Sequence, residues 1–181
     1  LEKVVEAYHK NDAAAASESL KAVKDFHLQI ISDLKFKSPA EIKKEIDAVF
    51  VEMEWAMEEE TARSKGYAFA YDQLVSQGEI LSTKIISRWL NENGTANVWM
   101  DARDVLITDN TYRDARINWT ETEKLSEEKI TSLFQTNRII ITQGFIGATS
   151  ENFTNTLGRE GSDYTAAILA YALNAEEVVV W

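Results

Sequence analysis

Gly144-Phe145-Ile146-Gly147-Ala148-Thr149 and then Thr156-Leu157-Gly158-Arg159-Glu160-Gly161-Ser162-Asp163-Tyr164-Thr165-Ala166-Ala167 decide how this chain is read. The stretch follows the apolar run Ile139-Ile140-Ile141 and leads into an apolar helix candidate, Ala166 to Leu173. A strand therefore feeds a Gly-rich connection that ends on a helix N-terminus. The first amides of a helix lack partners and sit at the positive end of its dipole, so they attract anions. Arg159 adds a planar cationic fork suited to a carboxylate or phosphate. The plainer reading is a turn followed by a helix capped by Ser162 or Asp163. It leaves Arg159 and the density of Gly and Thr unexplained, and we expect an anion site here.

Working outward, the connection Gln143 to Gly161 is long for a compact domain, and such lengths tend to be functional. Ser150-Glu151-Asn152 reads as the turn of a hairpin, with Phe145 to Thr149 on one side and Phe153 to Leu157 on the other. Upstream, Asn97 to Met100 and Val105 to Thr108 read as short strands around the polar Asp101-Ala102-Arg103-Asp104. A polar connection runs from Asp109 to Asn118, and Ser126 to Gln135 reads as a short helix. Arg138 to Thr142 is expected as a buried strand, Ser162 to Asn174 as a helix and Glu177 to Trp181 as a further strand. Short apolar strands alternating with helices imply an α/β domain with a largely parallel sheet.

The first 65 residues read as helical. Leu20, Val23, His27, Ile30 and Leu34 recur at helical spacing, with Ile31 beside them. Ser38-Pro39-Ala40-Glu41 is a start signal, with Ser38 as N-cap and Glu41 placed to complete a capping box. Ile42, Ile46, Val49, Phe50, Met53 and Met57 line the face that follows, so an antiparallel helical pair is expected, turning between Asp33 and Ser38. A third helix spans roughly Ala68 to Leu90, with Tyr71, Leu74, Val75, Leu81, Ile85 and Trp89 as its buried stripe, and Asn91-Glu92-Asn93-Gly94 ends it. Gly78 falls within that stripe. A mid-helix Gly costs about 0.5–1 kcal/mol against Ala, so some requirement is expected there, such as close approach of another backbone. The plainer reading is a Gly that allows tight helix packing, with Glu79 solvated. Glu79 sits at the stripe's edge, where an acid can face a ligand.

Composition narrows the classes. The chain has 181 residues, 45% hydrophobic and 27% charged, with a net charge of −11. That is the profile of an ordinary globular protein. No basic cluster suggests a nucleic-acid partner, and no apolar run approaches the roughly 20 residues that span a bilayer. There is no Cys, which excludes disulfides, thiolate catalysis and Cys-based zinc sites. Glu52, Glu54, Glu58, Glu59 and Glu60 read as a solvated helical face rather than a metal site. His27 reads as a half-buried, hydrogen-bonded residue on an apolar face. No Walker-type loop or G-x-S-x-G elbow is present. The sequons at Asn93, Asn118 and Asn152 are read as chance, with the cytoplasm as the expected compartment.

These residues carry a resemblance. The Leu157-Gly158-Arg159-Glu160-Gly161-Ser162-Asp163 run, preceded by Gly144-Phe145-Ile146-Gly147, resembles the aspartate kinase signature within the amino-acid kinase family. Ser76-Gln77-Gly78-Glu79-Ile80-Leu81-Ser82 looks like that family's Gly-Glu helix, and Val98-Trp99-Met100-Asp101-Ala102-Arg103 is similar to the strand and Asp-x-Arg segment between them. The resemblance implies a three-layer α/β/α sandwich with a mostly parallel sheet. It implies transfer of the ATP γ-phosphoryl group to the β-carboxylate of L-aspartate with Mg²⁺, the opening step toward lysine, threonine and methionine. By motif, Arg159 is expected to clamp a substrate carboxylate, and Glu79 and Asp163 to receive its ammonium group. Ser162 and the Gly161 region are expected to hold the other end of the substrate, with Glu160 in the same binding segment, and Phe145 to lend backbone contacts. Glu160 stands where the family often has Gly.

The family's Lys-Phe-Gly-Gly-Thr-Ser loop is expected before Leu1 and its Thr-Asp nucleotide segment after Trp181. Residues 1–181 are then expected to be part of one catalytic domain, truncated at both ends, with a helical subregion over 1–65 and an α/β substrate-binding part over 66–181. Such a piece would be inactive alone. L-Aspartate and ATP are the implied partners, with no nucleic acid or membrane, no metal held by these residues themselves, and a homodimer left open. Two other readings stand beside it. One is a non-catalytic small-molecule-binding or helical interaction module. The other is a sibling kinase acting on another acid.

Overall fold

Apolar residues at helical spacing over the first third of the chain pack as a set of helices, and short β-branched runs pair into small sheets over the remainder. The computed structural model describes residues 1–58 and 64–180. Glu59, Glu60 and Trp181 lie outside them. The chain forms two compact units, Leu1–Thr95 and Ala96–Trp181.

The first unit contains α1 (Glu2–His9), α2 (Ala13–Asp33), α3 (Pro39–Glu58), α4 (Tyr67–Val75) and α5 (Gln77–Glu92). Asp12 caps α2 by accepting the Ala15 amide at 3.0 Å. The left-handed Asn11 before it (φ 58) breaks the helical run into α1 and α2. Helix α2 packs on α1 and α3, and α3 packs on α4 and α5. Ile42, Ile46, Val49, Phe50 and Met53 are buried as expected. The outward Glu52, Glu54 and Glu58 are exposed. His27 is half-buried, its Nδ1 2.7 Å from the Val23 carbonyl oxygen and its ring edge-on to Phe50.

Three expectations change. The helix foreseen over Ala68 to Leu90 is two helices, α4 and α5, separated at Ser76, whose hydroxyl donates to the Gln73 carbonyl at 3.3 Å. Gly78 is not met by another backbone: a Cβ there would lie 3.2 Å from the Leu1 Cδ1 side-chain atom. The capping partner of α3 is not Glu41, which pairs with Arg88. Glu92 at the end of α5 takes that place, accepting the Ser38 amide at 3.2 Å and the Lys37 amide at 2.5 Å. The helix α5 stops as expected, with the Thr95 amide folding back to the Leu90 carbonyl at 2.9 Å.

In the second unit β1 (Val98–Trp99) pairs in parallel with β3 (Ile140–Ile141). A second sheet holds β2 (Ile107–Thr108), β4 (Ile146–Thr149) and β5 (Thr154–Thr156) in the order β2-β4-β5. The β2–β4 pairing is parallel and β4–β5 antiparallel, in the register Ile146↔Thr156 and Ala148↔Thr154. The expected hairpin is thus present, and two of the three pairings between the described strands are parallel, as expected, within two small sheets. Between β2 and β3 lie α6 (Trp119–Leu125), a wide turn over Ser126–Ile130 and α7 (Thr131–Phe134). Asn118 caps α6 through the Glu121 amide at 3.3 Å, so this helix starts well before Ser126. The last helix, α8, spans Gly161–Ala172.

Strand β4 is buried along its whole length. The polar β5 is also buried, and its side chains are satisfied. Asn155 Oδ1 accepts the Thr108 hydroxyl at 2.8 Å, and Thr154 Oγ1 accepts from Arg103 Nη1 at 3.1 Å. Residues 177–180 form no strand, and Val178, Val179 and Val180 are 49%, 57% and 64% exposed. β-propensity alone does not make a strand; pairing does, and no described strand pairs with this run.

Replacing Ile46, fully buried in the first unit, by Ala is expected to lower the unfolding free energy by about 2–5 kcal/mol. Trp55→Ala, at a side chain 63% exposed, is expected to change it by about 0.5 kcal/mol or less. Urea denaturation of both variants beside the wild type checks the contrast.

Candidate functional site

After β3 the chain turns through Gln143, Gly144 and Phe145 before entering β4. Gln143 is fully buried. Its Oε1 accepts the Ala102 amide at 2.8 Å, and its Nε2 donates to the Met100 carbonyl at 3.3 Å. Gly144 then meets the first turn of α8. A Cβ at Gly144 would stand 2.8 Å from Ser162 Cα and 2.9 Å from Ser162 Cβ, so no side chain fits without displacing the helix. Phe145 is left-handed at φ 71, uncommon for an aromatic residue. Its amide donates to the Thr165 hydroxyl at 3.0 Å, and its carbonyl accepts the Leu157 amide at 2.8 Å.

The hairpin returns the chain to the same place. Gly158 has φ 77, and a Cβ there would lie 2.9 Å from Asp114 Oδ1 and 3.1 Å from the Arg113 carbonyl oxygen. Arg159 follows, and then Glu160 at φ 58, ψ 23, in the N-cap position of α8. Its side chain makes no capping bond. Ser162 and Asp163, the caps expected from sequence, lie instead inside the first turn. A left-handed conformation costs an L-residue roughly 1–2 kcal/mol and glycine almost nothing. That is the physical reason Gly suits the Glu160 position.

The structure therefore gathers Phe145, Arg159, Glu160, Gly161, Ser162 and Asp163 at one junction of loop and helix. Gly161 is buried there, while Arg159, Glu160, Ser162 and Asp163 are exposed. Arg159 Nε is 3.8 Å from Glu160 Oε1, with the two side chains 94% and 76% exposed. Such a loose, hydrated pair holds the guanidinium weakly. Arg103 shows the contrast: Nε and Nη2 grip Asp101 at 2.9 and 2.6 Å, and Nη1 holds Thr154. An arginine so engaged is structural. At the junction, Arg159 and the uncapped α8 amides suit an anion, and the Asp163 carboxylate beside them suits a cation.

Glu79 belongs to the first unit, in the first turn of α5. It is half-buried, and burial raises its carboxyl pKa above the ordinary glutamate value. Its backbone carbonyl accepts the Thr83 hydroxyl at 2.7 Å.

Two residues of the junction escaped the sequence reading. Gln143 opens the long connection and was given no role of its own, although the polar pair Thr142-Gln143 between an apolar run and a glycine is a signal of a locked turn. Thr165 lies four residues after Gly161, the spacing at which a hydroxyl bonds back to a helical carbonyl, and its Oγ1 donates to the Gly161 carbonyl at 2.8 Å.

The pattern of the amino acid kinase family matches residues 14–181. Lysine-sensitive aspartokinase 3 of Escherichia coli K12 is 34% identical over 164 residues, which is 91% of this chain and 35% of that protein. The chain thus spans about a third of the length of this curated relative. Two crystal structures of E. coli aspartokinase III superpose on 99% of the chain at 30% identity, covering 39% of that protein. The one in complex with lysine and aspartate gives a TM-score of 0.88, and the one in complex with aspartate and ADP gives 0.87. With the Gly-Arg-x-Gly-Ser-Asp junction in place and the family pattern covering nearly all of its length, this chain belongs to the amino acid kinase family.

Proposed function

We propose that this chain is the aspartate-binding part of an aspartate kinase catalytic domain. In the whole protein a β-carboxylate oxygen of L-aspartate attacks the γ-phosphorus of ATP. The bond to the β,γ-bridging oxygen breaks, leaving 4-phospho-L-aspartate and ADP. The observation that carries the reading is the junction at α8, where a weakly held guanidinium and a carboxylate flank a single uncapped helical turn. A zwitterionic amino acid with a second carboxylate needs that combination. Likeness to an aspartokinase crystallised with aspartate supports the choice among acid substrates.

In this reading Arg159 clamps a substrate carboxylate by charge-assisted bonds, and the α8 amides with Ser162 add donors. Asp163 and Glu79 receive the ammonium group, and the Phe145 backbone lines the pocket. The reaction asks the protein mainly for alignment and charge neutralisation. Mg²⁺, when bound, would neutralise phosphate charge. Among the described residues no three acids or histidines stand together as a metal-holding group, and no step is assigned to the ion through them. The same reading places the parent at the start of lysine, threonine and methionine synthesis, in the cytoplasm, with a homodimer left open. Among the described residues no helix is long and apolar enough to cross a membrane.

Arg159→Ala in the full-length protein is expected to raise the aspartate KM and lower kcat/KM by at least about tenfold, the scale of a lost charged contact. Steady-state kinetics with varied aspartate check it, and an unchanged KM would remove Arg159 from the pocket.

Glu79 makes a second expectation. Only its ionised form attracts an ammonium group, and burial raises its pKa. The aspartate KM should therefore climb on acidification at a higher pH than an ordinary glutamate would give. Glu79→Gln should raise KM and flatten that limb of the profile. The stability effect has its own sign. A raised folded-state pKa contributes stability that is complete below the unfolded value and is lost as pH rises through the folded one. Glu79→Gln should thus be more favourable, relative to wild type, near neutrality than in acid, as read by denaturation at the two pH values.

A further inference from the structure

We infer that Thr165 is a positioning residue for the aspartate pocket, acting through its hydroxyl on the Phe145 peptide and on the first turn of α8. The inference rests on the proposed reading of the junction as an aspartate site. Thr165 is buried, so its hydroxyl meets no substrate. Both of its hydrogen-bonding roles are used. Oγ1 accepts the Phe145 amide at 3.0 Å and donates to the Gly161 carbonyl at 2.8 Å. Phe145 in turn accepts the Leu157 amide at 2.8 Å. One chain of hydrogen bonds therefore runs from the end of β5, through the turn before β4, into α8.

That chain holds a residue which would not rest there unaided. Phe145 is left-handed at φ 71, and such backbone persists only where its surroundings over-determine it. The tight contact of Gly144 with Ser162 sets how near the two segments come. It does not fix how the Phe145 peptide is turned; the Thr165 hydroxyl does. Arg159, Ser162 and Asp163 leave from the same turn, so an error in that peptide becomes an error in the pocket.

Thr165→Val keeps the shape and removes both hydrogen bonds, whereas Thr165→Ser keeps both and removes a methyl group. In the full-length protein, Thr165→Val is expected to raise the aspartate KM about tenfold, the scale for a buried amide left without its partner. It should leave the ATP KM unchanged and speed hydrogen exchange of the Phe145 amide. Thr165→Ser should restore the aspartate KM and the slow exchange of the Phe145 amide. Thr165→Ala removes the same bonds with less bulk and replaces the valine variant if that protein does not fold. A lower kcat at unchanged aspartate KM, an unaltered Phe145 exchange rate, or a serine variant as impaired as valine would each overturn the inference. Wild-type protein without aspartate-dependent ATP turnover would overturn the aspartate reading itself and this inference with it. Normal wild-type turnover beside an unmoved valine KM would overturn the inference alone.

Discussion

The contact of Gly144 with the first turn of α8 is the constraint on which the site depends. Main chain meets main chain there, with a Cβ at Gly144 only 2.8 Å from Ser162 Cα. Because backbone rather than rotamers sets the distance, the junction is stiff wherever it is bonded. The residues that build it, Gly144, Gly158 and Gly161, have no side chains to offer a ligand. The residues between and after them, Arg159, Ser162 and Asp163, are exposed and carry little structural duty. Support and recognition are divided between neighbouring positions of one short segment.

Arg103 and Arg159, two of the five arginines of the second unit, show how the fold assigns roles to one residue type. Arg103 is held by Asp101 through two short bonds and reaches Thr154 with a third. It ties the turn after β1 to β5 and is fully occupied. Among the described residues Arg159 has only a neighbour at 3.8 Å, in open solvent. Solvent and salt weaken such a pair, so a carboxylate can compete for this guanidinium. The chain as a whole carries a net charge of −11 and repels anions at long range. Any acidic substrate must be held by groups within contact distance, which makes one available arginine matter more.

Much of the fold was legible because its signals are local. The buried faces of α2 and α3 follow the helical period, and the hairpin around Ser150-Glu151-Asn152 follows from turn residues between apolar runs. The junction was legible as well, since Gly, Arg and Asp stand close together in sequence. What escaped depends on distant partners or on backbone conformation. Glu41 was the natural capping partner by spacing, yet Arg88 draws it away and Glu92 replaces it. Val178 to Val180 have every propensity for a strand but no pairing among the described residues. Nothing in the letters announces that Phe145 and Glu160 are left-handed, and the role of Thr165 follows only once they are seen to be.

The Glu92 clamp bears on how the first unit comes into being. Its carboxylate secures the corner between α2 and α3 from 54 residues downstream. Closing a loop of that length costs only slightly more than closing a shorter one, but it requires the whole intervening chain to exist. Until α5 is in place, the Lys37 and Ser38 amides lack the acceptor that Glu92 supplies. The upstream corner is therefore completed by the far end of the same unit, so a change at the close of α5 reaches a helix start 54 residues earlier.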